Sequence, residues 1–384
     1  MNKSIGRFNI YKMIINDRFD LNRKLSDSLN DHLTEAIQWL CRAQDATPDD
    51  GFARAYNLMS GWQSSYPETT GYIVPTLIKY YNKTGDREIL ERCIRASDWL
   101  LSLQFPEGGI QAGTIKEDTG VPTIFNTGQV IFAWVAAYNE TKNTAYLDAI
   151  NRACNWLAKS QDDDGAWRKH GSVVTRCHIN IYNTRTAWAM MLGGQLLDAE
   201  KYRLYALRNI EWALDQIDDR GVFDDNCTQD QFKPLTHTVA YTIRGILEIG
   251  LAAENEHLLN IASKSAKKVL DNLSSSGFLP GRFDKNWKPN ARYNCLTGAC
   301  QMSIIWLKLY ELGKDGDFFD GAQKAVKFVA STQDLETSNT GIKGGVKGSY
   351  PVNGEYCKFE YVNWAAKFFI DSVLLWDEID QKDK

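Results

Sequence analysis

The chain has 384 residues, 43% hydrophobic and 24% charged, with a formal net charge of −4 and a pI near 5.8. This is enough apolar chain for a large core, and the absence of a long basic stripe argues against nucleic acid as a main partner. No stretch reaches the roughly 18 apolar residues of a membrane span, MNKSIGRFNIYKMIINDRFDLNRK has no secretory apolar core, and the eight cysteines form no CxxC pair. The expectation is therefore a cytoplasmic protein with reduced thiols.

After a lead-in arm over residues 1–25, helical patterns of two kinds alternate along the chain. The first kind ends in WLCRAQDATPDDG from Trp39, WLLSLQFPEGG from Trp99, WLAKSQDDDG from Trp156 and WALDQIDDRG from Trp212. Two weaker copies follow, VLDNLSSSG from Val269 and FVASTQDLETSNTG from Phe328. Successive copies are 60, 57, 56, 57 and 59 residues apart, a near-constant period that marks a repeat architecture. In AYLDAINRACNWLAKSQ the apolar residues Leu147, Ile150, Ala153, Cys154 and Leu157 keep helical spacing. The glycine that follows lies past the helix end, where a left-handed turn suits it. Asp162, Asp163 and Asp164 therefore belong to a solvated turn, because the sister turns replace them with unrelated residues.

The second kind of helix spans 68–81, 125–138, 182–197, 235–250, 295–310 and 360–376, and it is apolar almost all round. Thr70, Thr127 and Thr184 recur at the same 57-residue step and read, with Thr297, as helix caps. Helices apolar all round are buried on every side, whereas the first set carries a charged face. The expected fold is all-α: an (α/α)6 toroid of six outer and six inner helices, closed on itself, forming one domain over residues 26–384.

Links from inner to outer helices are short, as in NETKNT, whereas links from outer to inner helices run to about 20 residues. All long links fall at one end of the ring, together with the N-termini of the inner helices, whose unpaired N–H groups favour an anionic ligand. The polar residues there are Tyr66, Glu68, Tyr72, Asn126, Gln129, Tyr182, Asn183, Arg185, His237, Tyr241, Asn294, Gln301, Glu360, Tyr361 and Asn363, and with Arg244 they are the candidates for the site.

The pattern W-L-x-x-x-Q-x-x-x-G-x-W, here Trp156, Leu157, Gln161, Gly165 and Trp167, resembles the Gln-Trp repeats of terpenoid cyclases and protein prenyltransferase β-subunits. That resemblance implies the toroid. The cyclase D-x-D-D acid motif is absent. Asp225, Cys227 and His237 match the residue types of a prenyltransferase zinc site, but Cys227 and His237 stand too close in sequence for that family. No metal or cofactor is expected. The inner-helix phrases SYPETTGY, NTGQVIF, YNTRTAW and LTHTVAYTIRG resemble a bacterial group encoded among surface-polysaccharide genes, which implies association with polysaccharide-biosynthesis proteins. Polysaccharide lyases, unsaturated glucuronyl hydrolases and uronyl epimerases also use α/α toroids.

The residues fit an enzyme acting on an acidic, uronate-containing carbohydrate by lyase- or epimerase-type proton abstraction. Asn126, Asn183 and Arg185 would neutralise the sugar carboxylate, His237 would be the base, and Tyr241 or Tyr182 the acid. Tyr66, Tyr72, Gln129, Arg244, Tyr361 and Asn363 would complete substrate binding. One alternative is a glycoside hydrolase using Glu68 and Glu360, with Asp225 and Glu355 as loop carboxylates. A second is a terpenoid cyclase-like or prenyltransferase-like enzyme, and a third is a polysaccharide-binding scaffold without catalysis.

Overall fold

The structure is a computed structural model describing residues 6–26, 28–117, 120–171, 177, 179–226, 230 and 232–383. After α1 (Arg7–Arg18), outer and inner helices alternate. The outer set is α2 (Leu29–Asp45), α4 (Arg87–Ser102), α6 (Thr144–Ser160), α8 (Glu200–Leu214), α10 (Glu256–Leu270) and α12 (Gly316–Ser331). The inner set is α3 (Pro67–Thr84), α5 (Ile124–Thr141), α7 (Thr184–Leu196), α9 (Thr236–Ala252), α11 (Leu296–Gly313) and α13 (Asn363–Lys382). Each inner helix packs on the next, and α13 packs back on α3, so the ring is closed. The toroid expected from the repeat is the fold observed.

The two burial patterns follow from position in the ring. Outer helix α4 buries one stripe, Ile89, Cys93, Ala96 and Leu100, at helical spacing. Inner helix α5 buries every residue from Ile124 to Trp134, because helices surround it. The inner helices also approach closely. A Cβ added to Gly71 of α3 would sit 2.6 Å from the Gln129 carbonyl oxygen and 2.7 Å from Val130 Cα of α5. Gly71→Val is accordingly expected to destabilise the fold by about 1–3 kcal/mol through backbone displacement. Urea unfolding that gave the wild-type midpoint would refute this contact.

The Gln-Trp turns join neighbouring outer helices. Gln104 donates its amide N–H both to Gly108 in its own turn and to the Ala149 carbonyl of α6, at 3.0 and 2.9 Å. Gln161 donates to the Tyr205 carbonyl of α8 at 3.0 Å. Gly165 takes φ +94°, and a side chain there would run into the Arg208 carbonyl. Gly344, from the sixth repeat, abuts the Glu35 carbonyl of α2 in the same way, and Trp39 Nε1 donates to the Gly341 carbonyl at 2.8 Å. The last repeat is thus fastened to the first. In the turn that bears the three aspartates, Arg168 pairs with Asp162 at 3.1 Å and Asp164 at 2.6 Å. Replacing Asp162, Asp163 and Asp164 together by Asn is expected to lower the unfolding free energy by no more than about 1 kcal/mol, as for a surface turn. A loss of several kcal/mol in urea unfolding would make the run a structural element rather than a solvated turn.

The long loops carry short strands. β1 (Ala55–Asn57) pairs antiparallel with β2 (Gly61–Trp62) and with β5 (Glu360–Val362), and β3 (Asn294–Cys295) pairs with β4 (Ser349–Tyr350). The register places Asn57 opposite Glu360 and Ala55 opposite Val362, tying the first long loop to the last. Helix α1 is held to these loops: Asp17 accepts from Lys347 Nζ at 2.6 Å and from the Val352 amide at 2.8 Å.

Two sequence expectations need correction. Thr70, Thr127 and Thr297 do not cap helices, because α3, α5 and α11 begin earlier, at Pro67, Ile124 and Leu296. Thr70 and Thr127 instead accept the amide N–H of Phe52 and Ile110, at 3.1 and 2.9 Å, and so hold the incoming loop. Thr184 opens α7 and donates to the Thr242 carbonyl of α9. The second correction is Cys177, which is disulfide-bonded rather than reduced; single spacing in sequence does not show which thiols the loops bring together. Among the described residues Cys41, Cys93, Cys154, Cys295, Cys300 and Cys357 are free, and no helix is long and apolar enough to cross a membrane.

Candidate active site

The long loops and the inner-helix N-termini enclose a cavity of about 1080 Å³. None of the six inner helices has a side-chain N-cap. Five of the six outer ones do, through Ser28, Asp86, Asn143, Asn255 and Asp315. The first amides of α5, α9, α11 and α13 donate instead to loop carbonyls, those of His170, Gly281, Gly348 and Arg54.

Aligning the inner helices on the recurrent threonine, which is Asn363 in the last of them, gives Gly71, Gly128, Arg185, His237, Gly298 and Trp364 at the next position. In α3, α5 and α11 this position is a close helix contact that only glycine fills. In α9 and α13 it presents His237 and Trp364 to the cavity, and in α7 it presents Arg185 beneath it. Two positions before the threonine stand Glu68, Phe125 and Tyr182, all of which line the cavity. The site is thus built by varying two register positions of a common helix start.

Of the residues singled out from sequence, Tyr66, Glu68, Tyr72, Asn126, Tyr182, His237 and Tyr241 line this cavity. The others lie deeper or out of reach. Arg185 is buried under the floor, its Nε donating to Gln129 Oε1 at 2.7 Å. Arg244 pairs with Glu248 at 2.5 Å further down α9. Asn183 is buried at the start of α7 and is absent from the lining. Asn363 is used by the fold: its Nδ2 donates to the Ala53 carbonyl and to Thr69 Oγ1, both at 2.9 Å. Tyr361 lies on another face, its hydroxyl against Met13 of α1. Glu360 does not line the cavity and instead accepts from Arg54 at 2.9 Å, Gln63 at 2.8 Å and Asn57 at 3.3 Å. Of the suggested zinc ligands, Cys227 lies outside the described residues. Among the described residues no three His, Cys, Asp or Glu side chains cluster as a metal site would require.

Sequence reasoning missed Arg54, Trp62, Arg282, Tyr356 and Trp364, which also line the cavity. Most of them sit in the non-repeating loops, where no period reports them. Arg54 lies over the Trp364 ring at 5.2 Å, and Trp364 Nε1 donates to the Tyr356 hydroxyl at 2.9 Å. Arg282 reaches Glu355 at 3.5 Å and donates to the Tyr293 hydroxyl at 3.1 Å.

Two titratable groups have environments that fit proton transfer. Burial pushes the Glu68 carboxyl up to about 7, against the pull of the Tyr66 hydroxyl, which donates to it at 2.5 Å, and of Arg185 and Arg54. Burial pushes His237 down to about 4. Its hydrogen bond to Gln301 opposes this, and the charge of Arg185 adds to it. Gln301 Oε1 accepts from His237 Nδ1 at 2.7 Å, which leaves the ring's lone pair on Nε2. The imidazole is stacked against Tyr241 and Tyr356, with ring centroids at 4.4 and 5.5 Å. Near neutral pH the cavity thus holds a carboxyl able to give a proton and an uncharged imidazole able to take one. Its wall carries the cations Arg54, Lys116 and Arg282, of which Arg54 is paired with Glu360 at 2.9 Å and Arg282 with Glu355 at 3.5 Å.

The chain matches no protein-family model, and no curated protein matches it. Solved structures match over nearly the whole length. An unsaturated glucuronyl hydrolase specific for heparin superposes with a TM-score of 0.73 at 16% identity, covering 91% of this chain and 97% of its own. A sugar epimerase from a ruminal bacterium superposes with a TM-score of 0.72 at 12% identity, covering 95% and 98%. Cellobiose 2-epimerase from Bacillus thermoamylovorans B4167 does so with a TM-score of 0.68 at 12% identity, covering 96% and 99%. At these identities the likeness is one of fold, and the fold is one that carries carbohydrate-active enzymes.

Proposed function

We propose that the protein is a carbohydrate-active enzyme that moves protons on an acidic, uronate-containing oligosaccharide, by lyase- or epimerase-type chemistry in the funnel. The observation that carries this reading is the pairing of Glu68, with its carboxyl near 7, and neutral His237 in one cavity. A proton next to a carboxylate is removed readily only when that carboxylate is neutralised. Arg54, Lys116 and Arg282 are the cations that would supply that neutralisation, and Asn126 adds an amide. His237 takes the C5 proton, and Glu68 returns one to the leaving oxygen or to the opposite face. Tyr241 and Tyr182 remain sugar-facing hydroxyls, since burial pushes the Tyr241 phenol well above its ordinary range. The aromatic wall of Trp62, Phe125, Tyr356 and Trp364 suits the apolar faces of pyranose rings.

A hydrolytic reading is favoured by one observation: Glu355 shares the cavity with Glu68, giving two carboxylates where Glu360 does not. The neighbours in fold include both a glucuronyl hydrolase and epimerases, so one assay separates the readings. Uronate oligosaccharides incubated with the protein in D₂O are followed by ultraviolet absorbance, reducing-end assay and NMR. Growth of unsaturated-uronate absorbance identifies a lyase. Deuterium at C5 without chain cleavage identifies an epimerase, and new reducing ends alone identify a hydrolase. If glucuronate-, galacturonate- and mannuronate-containing substrates bind yet give none of the three signals, the enzymatic reading fails.

A further inference from the structure

Beneath the funnel floor the ring encloses a second, small chamber of about 50 Å³. Arg185 and Trp188 of α7, Arg244 of α9, Gln301 of α11, and Lys367 and Asp371 of α13 line it. Tyr72 and Tyr241, which line the funnel above, lie against the Arg185 guanidinium at 5.5 and 5.0 Å and separate the two spaces.

The charges around this chamber do not balance. Three cations line it, Arg185, Arg244 and Lys367, and two carboxylates contact them, Asp371 on Lys367 and Glu248 on Arg244, while Glu68 acts on Arg185 from the funnel above. Glu248 pairs with Arg244 at 2.5 Å and with Lys308 at 2.9 Å, and Asp371 pairs with Lys367 at 2.6 Å. The other Asp371 oxygen accepts from Thr76 at 2.7 Å. Arg185 is only 3% exposed and forms no ion pair among the described residues; its Nε donates to Gln129, and aromatic rings surround the rest. A cation so deeply buried is costly unless a counter-charge accompanies it. The chamber exceeds the roughly 10–15 Å³ that one water needs, but water brings no charge.

We propose that this chamber is a site for a small monovalent inorganic anion, chloride in physiological salt, held by Arg185, Arg244 and Lys367. The anion supplies the missing negative charge at the centre of the ring and braces α7, α9 and α13 against one another. A sugar carboxylate is excluded, because the chamber has no room for the ring attached to it. Bromide is the probe. Crystals of the full chain grown or soaked in bromide are expected to show an anomalous peak in the chamber, within contact distance of the three cations. In solution the wild-type melting temperature is expected to be roughly 2–4 °C higher in chloride than in gluconate at matched ionic strength. Arg185→Gln and Lys367→Met are each expected to lose that increment. The bromide map needs no variant, so it decides the matter even if a substitution prevents folding. A chamber empty of bromide, or equal melting temperatures in the two salts, would overturn the proposal. Neither measurement uses a substrate, so the result stands apart from the activity proposed above.

Discussion

Glu68→Gln is expected to lower kcat by about 10²–10⁴-fold while leaving KM within a few-fold, because an amide keeps the shape of the carboxyl but cannot deliver its proton. The same substitution removes the upper limb of the pH profile. Burial holds the wild-type carboxyl at about 7, so kcat/KM falls tenfold per unit as pH rises above 7, where the acid has lost its proton. Stability gives an independent check. The folded pKa lies above the ordinary carboxylate value of 4.5, so the folded state binds this proton more tightly than the unfolded chain. The stabilisation is full below about 4.5 and is lost as pH climbs through 7. By pH 8 the loss approaches about 3 kcal/mol. Glu68→Gln should therefore unfold at higher denaturant than wild type at pH 8 and not at pH 4. A variant that turns over at more than a tenth of the wild-type rate, with its alkaline limb intact, would remove Glu68 from the chemistry.

His237→Gln is expected to cost about 10²–10⁴-fold in kcat/KM, the range for loss of a general base. Glutamine preserves a polar partner for Gln301 and much of the stacked volume between Tyr241 and Tyr356, so the loss reports the missing lone pair. The pH dependence distinguishes base from scaffold. His237 titrates near 4 in the fold, so the wild-type profile should keep a plateau from about 4 up to the limb set by Glu68. The folded pKa lies below the ordinary 6.5. Its stability contribution is present above 6.5 and is lost as pH falls towards 4, where the unfolded chain takes the proton and the buried ring does not. The variant should lose the acid limb of kcat/KM and this part of the acid sensitivity together. Retention of the acid limb in His237→Gln would assign it to another group and leave His237 a structural residue.

How far the sequence carries can be judged residue by residue. The period in Trp39, Trp99, Trp156 and Trp212 exposed the outer helices, because the first three of those turns repeat one contact with the neighbour: the amide of Gln44, Gln104 or Gln161 on the next outer helix. The charge-free run from Ile124 to Trp134 exposed an inner helix, because a charge would not survive there without a partner. Polar residues at the inner-helix starts were also legible, and Glu68, His237 and Tyr241 do meet in one cavity.

Position on a helix did not reveal direction around the ring. Tyr361 and Asn363 belong to the same helix start as Trp364, yet only Trp364 reaches the cavity. Glu360 resembled a partner for Glu68 until strand pairing with Asn57 set it against Arg54 and Gln63. Arg54, Arg282 and Tyr356 come from loops of irregular sequence, where no period predicts which way a side chain faces.

The sequence by itself determined the closed double ring of helices and the end that carries the long loops, because repetition and hydrophobic periodicity are local properties that survive in any window of the chain. Tertiary structure alone decided which polar side chains share the cavity, how burial separates the proton affinities of Glu68 and His237, and where Arg185 is buried without an ion pair among the described residues. Those outcomes depend on distances and desolvation between segments up to some 300 residues apart, as from Arg54 to Glu360, and a one-dimensional pattern does not encode either quantity.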